Sequence, residues 1–98
     1  MFIIQLTFSD NKSQAKDFME GHKKWLQTGF DKGIFVLSGS LQPNAGGGII
    51  AVDVSKQEIE EIIAEDPFVI ENVVKSEIIE LTPSKADERL SFLFDNRF

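Results

Sequence analysis

The chain has no cysteine, which removes disulfides, thiolate nucleophiles and thiolate metal sites, and fits a reducing compartment. It has no tyrosine, so no phenol side chain can act as acid or oxyanion donor. It has one histidine, so no metal site built from two or three imidazoles can form within one chain. Positive charge is also scarce. Ten Lys and Arg against sixteen Asp and Glu give a net charge of -6, the wrong sign for a nucleic-acid or anionic-membrane partner. No apolar run approaches the roughly 20 residues that span a bilayer. The opening Met1-Phe2-Ile3-Ile4-Gln5-Leu6 lacks the basic flank and length of a signal peptide. A cytoplasmic location is expected.

What remains is ordinary globular material: 98 residues, 42% hydrophobic and 27% charged, enough for one domain with a modest core. The informative residue is the lone histidine, His22. It falls on a stripe of Ala15, Phe18, Met19, His22, Trp25, Leu26 and Phe30, spaced three and four apart as on one face of a helix. That face turns toward the body of the protein, so the imidazole points inward among aromatic rings. An inward imidazole is either a core histidine satisfied by a backbone carbonyl or a general base beside a cleft.

The elements follow in a clear order. Phe2 to Phe8 alternates with period two and predicts a strand. Ser9-Asp10-Asn11-Lys12-Ser13 predicts a turn that also caps a helix, which runs to about Asp31 and ends at Gly33. A second strand is expected from Ile34 to Leu41, a loop from Gln42 to Gly47, and a third strand from Gly48 to Val54 in an antiparallel hairpin. Ser55-Lys56-Gln57-Glu58 matches a capping box, so a second helix follows, burying Ile59, Ile62 and Ile63. Asp66-Pro67-Phe68 breaks it, and Val73 to Leu81 is the fourth strand. A charged stretch after Pro83 ends in Phe92, Leu93, Phe94 and Phe98.

This βαββαβ order predicts an α+β, ferredoxin-like fold with a four-stranded antiparallel sheet and both helices on one face. The strands carry apolar residues on both faces, with Phe35 and Leu37 set against Ile34 and Val36. An exposed apolar face of that size is unusual on a monomer and implies a homodimer through the open face, with the aromatic tail as a further contact surface and higher oligomers in reach.

The end of the second helix can lie near the first, because both pack on the same sheet face, which makes Asp66 the candidate partner of His22. A carboxylate bonded to imidazole fixes its tautomer and stabilises its charged form. Asp before Pro is equally the start of a short helix, and one oxygen can cap while the other accepts from His22. Ser38-Gly39-Ser40 puts small polar groups where a strand should carry bulk, marking either close approach of a ligand or a strand end. Gly46-Gly47-Gly48 enters a strand rather than a helix, so it reads as a flexible hairpin loop and not as a phosphate cradle. Trp25, Phe18 and Phe30 are core residues or stacking surfaces for a planar substrate. Glu77 is either a second, inward-facing acid or a residue at the wet edge of a dimer interface.

Taken together, His22-Lys23-Lys24-Trp25-Leu26, Gly33-Ile34-Phe35-Val36-Leu37-Ser38-Gly39, the Gly47-Gly48 strand entry and Asp66-Pro67-Phe68 resemble the YCII-related family over residues 1–83, with residues 84–98 outside the resemblance as a C-terminal tail. The resemblance implies a dimeric α+β barrel assembled from ferredoxin-like subunits. It implies an active-site pair at His22 and Asp66, with the Ser38-Gly39 pair at the pocket; Gly39, Trp25 and Phe68 are the expected substrate-binding residues. Activities in and around that family, dehydrochlorination of a chlorinated hydroxyquinol and muconolactone isomerisation, are cofactor-free proton transfers on small rings. The expected function is a cofactor-independent lyase or isomerase: His22 as base, Asp66 orienting it, Ser38 holding a developing oxyanion, no metal and no cofactor. The alternative is a non-catalytic module that binds a small ligand or serves dimerisation. A haem-binding relative, with His22 as the lone iron ligand, finds no further support in the residues.

Overall fold

In the computed structural model, which describes residues 1–95, β1 (Phe2–Phe8) is the second strand in from one edge of a four-stranded sheet. Its neighbours are β3 (Gly46–Ala51) and β4 (Val74–Glu80), and β2 (Phe35–Leu41) pairs with the far side of β3, giving the order β2-β3-β1-β4. All three pairings are antiparallel. With α1 (Ala15–Asp31) and α2 (Lys56–Ala64) between strands, this is the expected α+β, ferredoxin-like layout. A short α3 (Pro67–Ile70) precedes β4, and α4 (Phe92–Asp95) lies in the tail.

The register sorts the sheet into cross-strand rows. Phe2, Ile4 and Leu6 of β1 face the helices with Ile49 and Ala51 of β3, and all five are buried. Ile59 and Ile63 of α2 close the core over them, together with Val73. On the opposite face Leu37, Ile50, Ile3 and Ile79 align as one row across all four strands. Leu37 in that row is 58% exposed and Ile79 40%. The apolar second face expected from the sequence is therefore present, although its next row is Gly39, Gly48, Gln5 and Glu77. Glu77 thus faces away from the helices, which removes it as a second acid on the His22 side.

One detail of β2 departs from simple alternation. Phe35 pairs with Ala51 but Leu37 pairs with Ile50, so Val36 is an extra residue in a bulge. A one-residue slip exchanges the faces of every later side chain. Phe35 therefore stays in the core while Leu37 goes to the open face, contrary to the expectation that the two share a side. Ser38 and Ser40 turn instead toward the helices.

The element ends differ in small ways from the sequence reading. The predicted side-chain cap on α1 is absent: a 3₁₀ turn at Lys12–Gln14 leads into the helix with Gln14 at the cap position. The turn is occupied elsewhere, since the Asn11 amide donates to Glu71 O at 2.8 Å and the Asn11 backbone N–H to Asn72 O at 3.0 Å. Gly33, at φ 73°, closes the helix as expected, in the left-handed conformation that glycine adopts without strain. β3 starts at Gly46, two residues earlier than predicted, because Gly46 and Gly47 are paired to Thr7 and Leu6 as well as to β2. The three glycines are thus strand residues and not a flexible loop. The capping box on α2 forms as predicted, with Glu58 N–H to Ser55 Oγ at 3.1 Å and Ser55 N–H to Glu58 Oε1 at 2.8 Å. In the tail, Leu93 is buried whereas Phe92 is exposed; Phe98 lies outside the described residues.

Candidate active site

α1 carries His22 on its sheet-facing side, and the α2–α3 junction carries Asp66 beneath it. Pro67 starts α3 with its fixed φ, and Asp66 caps that helix by accepting the Phe68 N–H at 3.0 Å on Oδ1. The same Oδ1 lies 2.8 Å from His22 Nδ1. Both roles weighed from the sequence are realised, but by one oxygen rather than one each. Because Oδ1 acts as an acceptor, Nδ1 is the ring nitrogen that donates, which leaves the lone pair of the neutral imidazole on Nε2.

The surroundings hold this pair in place. Asp66 is fully buried and the His22 side chain is 16% exposed, so one partner is fixed in the interior while the other reaches the surface. The Phe68 ring stacks on His22 with centroids 4.1 Å apart and planes within 4°. Trp25 stacks at 5.7 Å on His22, and its indole N–H donates to Ile62 O at 2.9 Å, tying α1 to the last turn of α2. Gly21 lets the two helices approach: a Cβ there would stand 3.2 Å from Pro67 Cγ. The second carboxylate oxygen, Oδ2, is buried with no hydrogen-bond partner among the described residues.

His22 also borders an open cavity between α1 and the sheet. It has two adjoining lobes of about 230 and 210 Å³, which share His22, Leu6, Gly39, Ser40 and Gly47. A dry cavity of about 150 Å³ is enough for benzene, so either lobe has room for a substituted six-membered ring. Leu26 and Ile49 line the first lobe with Ser38; Met19, Phe8 and Phe68 line the second.

The residues nominated from the sequence thus fall into groups. His22 and Asp66 are bonded, Phe68 stacks on the imidazole and lines the second lobe, and Ser38 and Gly39 line the first. Trp25 is not a lining residue; it packs on His22 and, edge to face, on Phe35 at 5.3 Å. The sequence marked Ser38-Gly39-Ser40 as a place of ligand approach or a strand end without giving Ser40 a role; Ser40 lines both lobes, and Leu6 and Met19 form a wall that the sequence did not signal. Only the Val36 bulge gives Ser40 its direction, and strand alternation carries no signal for it. Among the described residues no group of three or more acidic or imidazole side chains could hold a metal ion, and no helix is long and apolar enough to cross a membrane.

No family model matches the chain, and no curated protein matches it in sequence. Among solved structures it is similar to 5-chloro-2-hydroxyhydroquinone dehydrochlorinase from Burkholderia phenoliruptrix AC1100, in complex with 2,5-dihydroxybenzoquinone. The TM-score is 0.68 at 14% identity, covering 86% of this chain and 96% of that one. The likeness is one of fold.

Proposed function

We propose that this chain is a cofactor-independent proton-transfer enzyme of the YCII-related kind, acting on a small hydroxylated six-membered ring. The observation that carries this reading is the 2.8 Å bond from His22 Nδ1 to buried Asp66, made by a ring that also borders a ring-sized cavity. The fold shared with an enzyme that dehydrochlorinates a chlorinated hydroxyhydroquinone supports the substrate class.

In this reading His22 Nε2 takes the proton of a ring hydroxyl. That proton, delivered to the chlorine-bearing ring carbon, gives the keto tautomer in which this carbon is saturated. Loss of a second hydroxyl proton then forms another carbonyl, shifts a ring π pair to that carbon and expels chloride with its own pair. The products are a quinone-type ring and one equivalent of acid. Asp66 orients the imidazole and offsets the charge it gains. Ser38 and the backbone at Gly39 meet the developing oxyanion, Phe68 forms part of the ring's wall, and Trp25 supports His22 from behind. General-base assistance of this sort contributes about 10²–10⁴ in rate.

The open sheet face, with its Leu37–Ile50–Ile3–Ile79 row, is in the same reading the surface through which two copies pair. The test is chloride release from 5-chloro-2-hydroxyhydroquinone and related halogenated hydroquinones. Turnover by the wild type and its loss in His22→Ala, with the fold intact, supports the proposal. Binding without turnover across the series, unaltered by His22→Ala, would leave a ligand-binding module in its place.

A further inference from the structure

Among the described residues the two lobes beside His22 are lined by three polar side chains, His22, Ser38 and Ser40, and by no lysine or arginine. Lys12 places its ammonium 4.6 Å over the Phe8 ring and is not a lining residue. Among the described residues, an oxygen on a bound ring meets the imidazole, these hydroxyls or backbone.

The hydroxyls are unequal. Ser38 stands opposite Ile49 and lines one lobe, whereas Ser40 stands opposite Gly47 and lines both. With no side chain across from it, the Ser40 hydroxyl is unobstructed from the β3 side. Ser40 is exposed, so its hydroxyl is open to a ligand. A bulge re-aims both serines to this face, the kind of irregularity that strands use beside active sites.

We propose that Ser40 is the specificity-determining residue of this cavity: it binds a second ring oxygen while the first hydroxyl is directed to His22, so the site selects dihydroxylated rings over simple phenols. This rests on the reading that the cavity binds a hydroxylated ring. One neutral hydrogen bond made by the second oxygen is worth roughly two- to tenfold in affinity.

The test measures dissociation constants of hydroquinone, resorcinol, catechol and phenol by following the His22 ring resonances in the wild type, Ser38→Ala, Ser40→Ala and Ser40→Thr. The wild type should bind at least one dihydroxylated ring about two- to tenfold more tightly than phenol. Ser40→Ala should bring that ratio to about one with phenol affinity unchanged. Ser40→Thr, whose extra methyl has room opposite Gly47, should restore it, which a merely structural role for Ser40 does not predict. A preference that survives Ser40→Ala, or that Ser38→Ala abolishes in its stead, overturns the assignment and leaves the proposed function standing. Equal affinity of the wild type for phenol and all three diols also overturns it. No response of His22 to any of the four rings overturns the hydroxylated-ring reading and the Ser40 assignment together.

Discussion

A single oxygen of Asp66 accepts the Nδ1 proton of His22 and caps the helix that begins at Pro67. Stability and chemistry therefore meet at one atom, and substitutions at Asp66 should separate them. Asp66→Asn keeps an oxygen for the Phe68 N–H and should cost less than about 1 kcal/mol, while activity falls by on the order of 10² because the charge beside the imidazole is gone. Asp66→Ala loses the cap and leaves a ring N–H unpaired, so it should destabilise by about 2 kcal/mol. Urea denaturation and turnover measured on both variants check the separation.

The approach of α1 to α3 is set by Gly21, whose missing side chain makes room for Pro67. Gly21→Ala requires Pro67 to give by a few tenths of an ångström and should be tolerated. Gly21→Val should push the helices apart, costing about 1–3 kcal/mol as an overpacked contact and lengthening the His22–Asp66 bond. Activity should fall more in the Val variant than its loss of stability explains, as seen by comparing turnover with thermal unfolding.

Acid sensitivity should originate partly in the α2 cap. Glu58 is held below its ordinary value of 4.5 by the Ser55 backbone N–H and then by the Ser55 hydroxyl. A depressed carboxylate contributes stability that is present above its unfolded value and lost as pH falls through the folded one. Glu58→Gln should therefore lower stability above about pH 4.5, where the wild-type carboxylate is charged, and the two proteins should converge as pH falls below that value. Denaturant midpoints at a series of pH values provide the check.

Pairing of two copies through the open face predicts that Ile50→Lys, in the middle of the apolar row, converts a dimer to a monomer. Light scattering coupled to size exclusion reads this directly. A wild type that is already monomeric contradicts the pairing.

Much of the fold was legible because the sequence follows its own periods: two in β1, three and four in α1, and a complete capping box before α2. The His22–Asp66 pair was legible for a related reason, since α1 and the end of α2 must lie side by side on one sheet face. What stayed hidden depends on register. The Val36 bulge sends Leu37 outward and turns Ser38 and Ser40 inward, and no count of alternating residues can foresee a one-residue slip. The glycines from Gly46 to Gly48 read as loop because they weaken a strand, yet their bare backbones pair on both sides and leave the cavity floor open. The missing cap on α1 has a similar cause: Asn11 is held by Glu71 and Asn72, contacts sixty residues away in sequence.

The central claim is that Asp66 holds His22 as a base with its lone pair toward the cavity. Nitrogen-15 NMR of the His22 ring at neutral pH measures this directly. The account predicts that the neutral ring carries its proton on Nδ1, with Nε2 unprotonated and shifting when a hydroxylated ring is added, and that Asp66→Asn alters the tautomer balance. A proton found on Nε2, or a ring indifferent to both the ligand and the Asp66 substitution, contradicts it.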